Sequence, residues 1–301
     1  MKQRSSSLTT LFAALLVMAL WGSLYPMIKV GYAAFGIETS HIPSILVFAG
    51  IRFTLCGLLI VTFSSAREKK ISLPKRSSLG FVLMGAFSAI ILHYSLTYIA
   101  LSLGEGSKSA IIKQVGYLFL CCFAFLFNKN DKFSMRKVMA GMLGFCGIIA
   151  TAIDGNGISF AIGDVLLLLS SACSAFSTII AQKATQRISP VAYTGYSQLI
   201  GGVCLLVPGL LLGGRVPTVN SSAIMVLAYI CTASIGAYVL WNSLLRSSNI
   251  SKLSVIKFTE PLFACLFGAL LLSENVLKWQ YLVAFILISS GIIVGNKKEN
   301  K

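Results

Sequence analysis

Ten apolar runs, separated by short polar connections, constrain this chain more than anything else in it. They span approximately 8–33, 44–64, 78–101, 107–127, 134–153, 161–182, 190–213, 221–246, 251–273 and 277–296. Each is near the ~20 residues that cross a hydrocarbon layer as a helix. Inside a bilayer every backbone N–H and C=O needs an internal partner, which leaves helices or a closed barrel. No run shows sustained period-two alternation, so a barrel does not fit. Of the 301 residues 11% are charged, against about 25% in a soluble domain. The expectation is an all-α integral membrane protein of ten transmembrane helices, with the lipid bilayer as its first partner.

The charges lie between the runs. Glu38, Glu105, Asp154, Asp164 and Glu274, with Arg215 and Lys278, occupy the odd-numbered connections. The even-numbered connections and both ends hold a basic set that includes Arg4, Arg67, Lys75, Lys129, Arg136, Lys183, Arg246 and Lys297. Basic loops stay on the side from which the chain is threaded. This predicts a multi-pass protein of the plasma membrane with both termini cytoplasmic. It also accounts for the net charge of +16 with no nucleic acid as partner, because no basic face of a folded domain exists. The start, MKQRSSSLTTLFAALLVMAL, is basic then apolar like a signal peptide. The apolar pattern continues to about Ala34 with no small-residue cleavage site, so an uncleaved first helix is expected.

The chain also repeats itself. Shifted by 144 residues, SKSAIIKQVGYLFLCCFAFLF (107–127) falls on 251–271 without a gap. Ser107 meets Ser251, Lys108 meets Lys252, Lys113 meets Lys257 and Tyr94 meets Tyr238. About a third of the pairs between 107–150 and 251–294 are identical, too many for chance in an apolar alphabet. Ten helices with this echo make two five-helix repeats, 1–153 and 154–301. An odd number of crossings before the repeat inverts the second copy, so a pseudo-two-fold axis in the membrane plane is expected. Inverted repeats place a solute site between the halves near mid-membrane. Lys113 lies ~9 Å along the fourth helix from one side, and Lys257 equally deep from the other.

The stretch 251–274 carries three residues that hydrocarbon disfavours: Lys257, Glu260 and Pro261. At helical spacing Ser254, Lys257, Pro261, Ala264 and Gly268 share one face, with Glu260 beside it; Phe258, Leu262, Leu266 and Leu270 share the other. The first face belongs against protein or a hydrated cavity. Other ionisable groups inside runs are Lys29, Arg52, Lys113 and His93. A charge at mid-membrane costs at least ~2.5–3.5 kcal/mol, so several together point to a polar interior. Lys113 and Lys257 fit an anionic or zwitterionic solute. Glu260 either pairs with Lys257 or binds a solute ammonium. Lysine snorkelling and a structural ion pair are the bland alternatives. Arg52 stays charged and needs Glu38, Glu105 or a solute carboxylate. Trp21, Tyr25 and Lys29 share a face of the first helix, lining a cavity or anchoring at the interface. His93 with Thr97, and Ser234 with Tyr238 and Asn242, also share faces, as do Ser170, Ser174 and Ser177. Pro26 and Pro261 break backbone hydrogen bonds mid-helix and are candidate hinges. Gly209/Gly213, Gly291/Gly295 and Gly141, Gly144 and Gly147 suit tight crossings inside the bundle or between protomers, leaving a homodimer open.

The order of motifs resembles the EamA-type ten-helix transporters of the drug/metabolite transporter superfamily. ALWGSLYPMIKVG (19–31), GIRF (50–53), GDVLLLLSSACSAFSTIIAQK (163–183) and FTEPLFACLFGALLLSE (258–274) carry the resemblance across nearly the whole chain. It implies a basket of helices in two inverted repeats that moves small metabolites. Gly116-Tyr117 stands where the first repeat of such proteins often has proline, and Lys113 and Lys257 are not general to them. Enzyme signatures are lacking: no H-E-x-x-H, no Walker-type phosphate loop, and two histidines, His41 and His93. The eight cysteines lie inside apolar runs without a CxxC pair and read as packing residues. No catalytic residue, metal or cofactor is expected. The expected function is secondary transport of a small anionic or zwitterionic solute by alternating access. An organic-cation exporter, or a non-transporting membrane sensor of the same fold, are the alternatives.

Overall fold

A computed structural model describes residues 7–68, 74, 76–116, 119, 135–154, 157–158, 160–215, 219–247, 253, 256–257 and 259–296. Ten helical elements run through these residues. They are α1 (Ser7–Ala34), α2 (Ile42–Glu68), α3 (Arg76–Leu103), α4 (Gly106–Lys113), α5 (Met135–Ala152), α6 (Ile162–Thr185), α7 (Pro190–Leu211), α8 (Ser221–Ser247), α9 (Thr259–Leu272) and α10 (Trp279–Asn296). A two-residue antiparallel ribbon, Ile153–Asp154 with Gly157–Ile158, follows α5. The long elements α1, α2, α3, α6, α7 and α8 are each apolar and long enough to cross a membrane. The chain is therefore all-helical in architecture, as its apolar periodicity demands.

The helices pair in a regular way. The most extensive contacts are α2 with α7, α5 with α10, α1 with α9, α1 with α8 and α3 with α6, and α4 packs on α6. Exchanging each helix n with n+5 maps this set onto itself. Residues Tyr94 and Tyr238, 144 positions apart, touch each other directly, hydroxyl to hydroxyl at 2.5 Å. The α2–α7 crossing is close because glycine removes the side chain at the contact. A Cβ on Gly57 would stand 2.3 Å from the Leu199 nitrogen, and one on Gly202 2.3 Å from that of Thr54. Small residues of this kind let membrane helices approach backbone to backbone.

Two local irregularities place the site. Ala86–Leu92, in the middle of α3, is π-helical and ends at His93; such widened turns re-aim the side chains that follow. In the ninth run the helix restarts at Thr259, with Lys257 in a turn before it. Pro261 thus occupies the first turn of α9 and not its middle. There its missing N–H has no intrahelical role, so the expected mid-helix break moves upstream to Lys257. Pro26 does lie inside α1. Of the faces expected for this run, Pro261, Ala264 and Gly268 are buried, and Leu262, Leu266 and Leu270 are exposed. Ser254 and Phe258 lie outside the described residues, as do Ser251, Lys252 and Tyr117.

Candidate functional site

The core between α1, α2, α3, α4, α6, α7, α8 and the start of α9 holds a cavity of about 100 Å³. Trp21, Tyr25, Arg52, His93, Lys113, Tyr238, Asn242, Lys257 and Glu260 all line it. Its lining continues through Thr178 and Ala181 of α6, Tyr193 and Thr194 of α7 and Leu245 of α8. Those helix ends meet at even-numbered connections, so the cavity extends towards that side.

One wall is an aromatic box with an ion pair. The Lys257 ammonium lies 4.4 Å from the Trp21 ring centroid and 4.9 Å from that of Trp241. Its Nζ stands 3.8 Å from Glu260 Oε2, and Glu260 Oε1 accepts a hydrogen bond from the Tyr25 hydroxyl at 3.1 Å. Both charged residues are buried. Ring faces attract the cation through their quadrupoles, and the carboxylate needs both partners to be tolerated there. Close approach of α1 makes the box possible. A Cβ on Gly22 would sit 2.6 Å from Phe263 Cβ and 2.8 Å from the Glu260 carbonyl oxygen.

The opposite wall belongs to the first repeat. Lys113 Nζ lies 2.8 Å from His93 Nε2 and donates to Thr97 Oγ1 at 2.9 Å. Ser170 Oγ donates to the His93 carbonyl oxygen at 2.9 Å and lies 2.7 Å from Thr97 Oγ1, tying α6 to α3. Among the described residues no carboxylate reaches Lys113 within ion-pair distance.

Arg52 forms the cavity floor and is fully buried. Its Nη2 and Nε donate to Ser234 Oγ at 2.6 and 3.2 Å, and Nη1 donates to the Tyr98 hydroxyl. The guanidinium lies 4.7 Å from the Phe53 centroid and 5.6 Å from that of Tyr94. The carboxylates offered by the sequence do not reach it. Glu105 bonds Lys278 at 2.7 Å and the Tyr281 hydroxyl, and Glu38 is exposed.

Lys29 departs from expectation. It shares a face with Trp21 and Tyr25 but lies one turn nearer the odd-numbered connections and outside the cavity lining. Its Nζ donates to the Gly104 carbonyl oxygen at 2.8 Å and stands 3.5 Å from Glu274. Glu274 in turn caps α4. It accepts from the N–H of Gly106 at 2.9 Å and of Ser107 at 3.0 Å, and from the Ser107 hydroxyl at 2.5 Å. Ser273, in the left-handed region with φ 52°, turns the chain so that Glu274 faces α4. Burial alone would raise the Glu274 pKa; the Ser107 and Gly106 donors and Lys29 outweigh it and hold the group below its ordinary value. With Lys108–Asp164 at 2.9 Å and Lys278–Glu105, these contacts form a polar layer across the odd-numbered side of the cavity.

Several cavity residues carried no separate signal in the sequence. Trp241 looks like an ordinary apolar-run aromatic, as does Tyr98, which bonds Arg52 behind the cavity lining. Gln114 follows Lys113 directly. Gln198 falls in line with Thr194, Ser197 and Gly201 at helical spacing, a polar stripe that marks a protein-facing surface.

A multi-pass membrane protein whose long helices surround a cavity lined by ionisable side chains has the build of a solute carrier. The EamA-like transporter family model matches residues 8–153 and again 161–296, and the chain belongs to that family. It is 30% identical to the uncharacterized transporter YvbV of Bacillus subtilis, over 99% of this chain and 95% of that protein. It is 26% identical to a probable amino-acid metabolite efflux pump of Salmonella typhimurium, over 94% and 93% of the two chains. A solved structure titled "Crystal structure of protein" superposes with a TM-score of 0.67 at 15% identity, covering 96% of each chain, and shares the fold.

Proposed function

We propose that this transporter moves a small anionic or zwitterionic metabolite, amino acids foremost, by alternating access. One observation carries the reading. Three basic side chains, Arg52, Lys113 and Lys257, face the cavity against one carboxylate, Glu260. A cavity with that excess of basic groups over acidic ones favours a carboxylate over a cation. Arg52 holds its charge on hydroxyls and ring faces, and Lys113 lies among hydroxyls and an imidazole, so a solute carboxylate meets N–H donors with no competing carboxylate partner there. Glu260 and Tyr25 then accept a solute ammonium. The efflux pumps among the relatives favour amino acids and the outward direction.

Transport needs two states of one site. The helix pairing, symmetric under exchange of n and n+5, and the Tyr94–Tyr238 contact support two inverted repeats, divided at 153/154, about an axis through the cavity. The even-numbered side and both termini are cytoplasmic in this reading, and the membrane is the plasma membrane. The cavity is then open inward and sealed outward by the Glu274 layer. Pro26 and the restart of the ninth helix beside Pro261 supply the bends.

Labelled amino acids in proteoliposomes test the function. Flux driven by a solute or proton gradient, lost in Lys257→Gln, is the expected result. A second reading, export of organic cations, is favoured by the Trp21–Trp241 box around an ammonium. It predicts that Lys257→Gln preserves or raises cation efflux. Absence of flux for either class under any gradient favours a sensor.

A further inference from the structure

The cavity holds hydrogen-bonding groups that the ionic reading does not use. Gln198 on α7 is 1% exposed and Gln114 on α4 is 3% exposed. Both line the cavity. Neither the Nε2 nor the Oε1 of Gln198 has a hydrogen-bond partner among the described residues, and the same holds for Gln114 Oε1 and Trp21 Nε1. A buried amide left without partners destabilises the fold, and native proteins leave few such groups unexplained. With both Gln198 atoms open, the result is the same whichever way round the amide lies. Gln198 offers one donor and one acceptor side by side, Gln114 adds an acceptor, and the Trp21 indole adds a donor.

We infer that Gln198 and Gln114 form a specificity subsite that reads an uncharged donor-and-acceptor group on the solute, a carboxamide or a hydroxyl. This rests on the zwitterion reading above and narrows it. Arg52 takes the carboxylate, Glu260 takes the ammonium, and the amides select the side chain. The transported class is polar, uncharged amino acids. A primary carboxamide satisfies Gln198 at both ends, whereas an alkyl side chain leaves it buried and unpaired. Sites built to hydrogen-bond a polar group reject analogues that lack it far more strongly than apolar pockets reject an extra group.

The test uses the full-length purified protein, with L-glutamine and its apolar counterpart L-norleucine as probes in binding titrations. Gln198→Met and Gln114→Met keep side-chain length and remove the amide. The wild type binds L-glutamine at least 10-fold more tightly than L-norleucine, and each variant erases most of that preference by weakening L-glutamine. Without ligand, Gln198→Met melts at or above the wild-type temperature, because an unpaired buried amide has been removed. Equal binding of the two probes by the wild type overturns the subsite while leaving the zwitterion reading intact. A variant that keeps the preference overturns it too. A lower melting temperature for ligand-free Gln198→Met makes the amide a structural group and also overturns it. If neither probe binds and the variant melts higher, the zwitterion reading is what fails: the amides are then open to another polar solute, and the amino-acid assignment falls.

Discussion

Arg52 poses the sharpest energetic question at the residue scale. A guanidinium at this depth has lost its water, and its partners are two hydroxyls and three ring faces. Removing a charge from water costs several kcal/mol, and neutral donors and rings repay part of it. Arg52→Gln should therefore lower carboxylate binding by about 10- to 150-fold, the equivalent of ~1.5–3 kcal/mol for a charge-assisted bond. Its melting temperature should stay near wild type, because the uncompensated charge leaves with the bond. Titration calorimetry and a thermal melt read the two effects separately. The intramembrane ions were legible in the sequence because a charge in an apolar run stands out. Gln114 and Gln198 were not, since neutral amides disturb an apolar run too little to be noticed, and their significance comes from what surrounds them.

The element scale is governed by two helix termini and one close crossing. α4 begins at Gly106 with its first N–H groups held by a carboxylate 168 positions away. Glu274→Gln keeps the shape but halves the acceptor capacity and removes the charge opposite the helix dipole and Lys29. The expected result is a lower melting temperature and faster exchange of the Gly106 and Ser107 amides, followed by hydrogen exchange. The sign of the pH effect follows from the depressed Glu274 pKa. Stability from this cap is complete above the unfolded glutamate value of ~4.3 and is lost as pH falls through the lower folded value. The melting temperature of wild type should fall in that acidic window more steeply than that of Glu274→Gln. At the α1–α9 crossing, Gly22→Ala forces a methyl against the Glu260 carbonyl and Phe263. Overpacking of this kind costs ~1–3 kcal/mol and should pull Trp21 away from Lys257, which a shift in tryptophan emission would register. Periodicity alone placed α9's two faces correctly. It misjudged Pro261, because an unbroken apolar run does not reveal that the helix restarts at Thr259.

For the whole molecule the issue is which side of the membrane reaches the cavity. With the Glu274 layer intact, Thr194→Cys in a cysteine-free background should react with a membrane-impermeant maleimide from the cytoplasmic face and not from outside. Adding Glu274→Gln should raise its labelling from outside by weakening the seal. Equal labelling from both faces in the starting background would contradict alternating access. The symmetry has its own consequence. Tyr94 and Tyr238 share one hydrogen bond across the repeats, so Tyr94→Phe, Tyr238→Phe and the double variant should cost about the same stability, not the sum.

The amino-acid order alone determined the number of apolar segments, the duplicated unit and the few charges set inside hydrocarbon, because each of these is a local or periodic property that water and lipid select directly. Which of those charges meet was decided by packing. Lys29 and Tyr25 lie one turn apart on the same helix face, yet Lys29 goes to Glu274 and Tyr25 to Glu260, a residue 235 positions away. Helical spacing says which way a side chain faces. Only the neighbouring helix, brought close by residues as small as Gly22, says what it finds there.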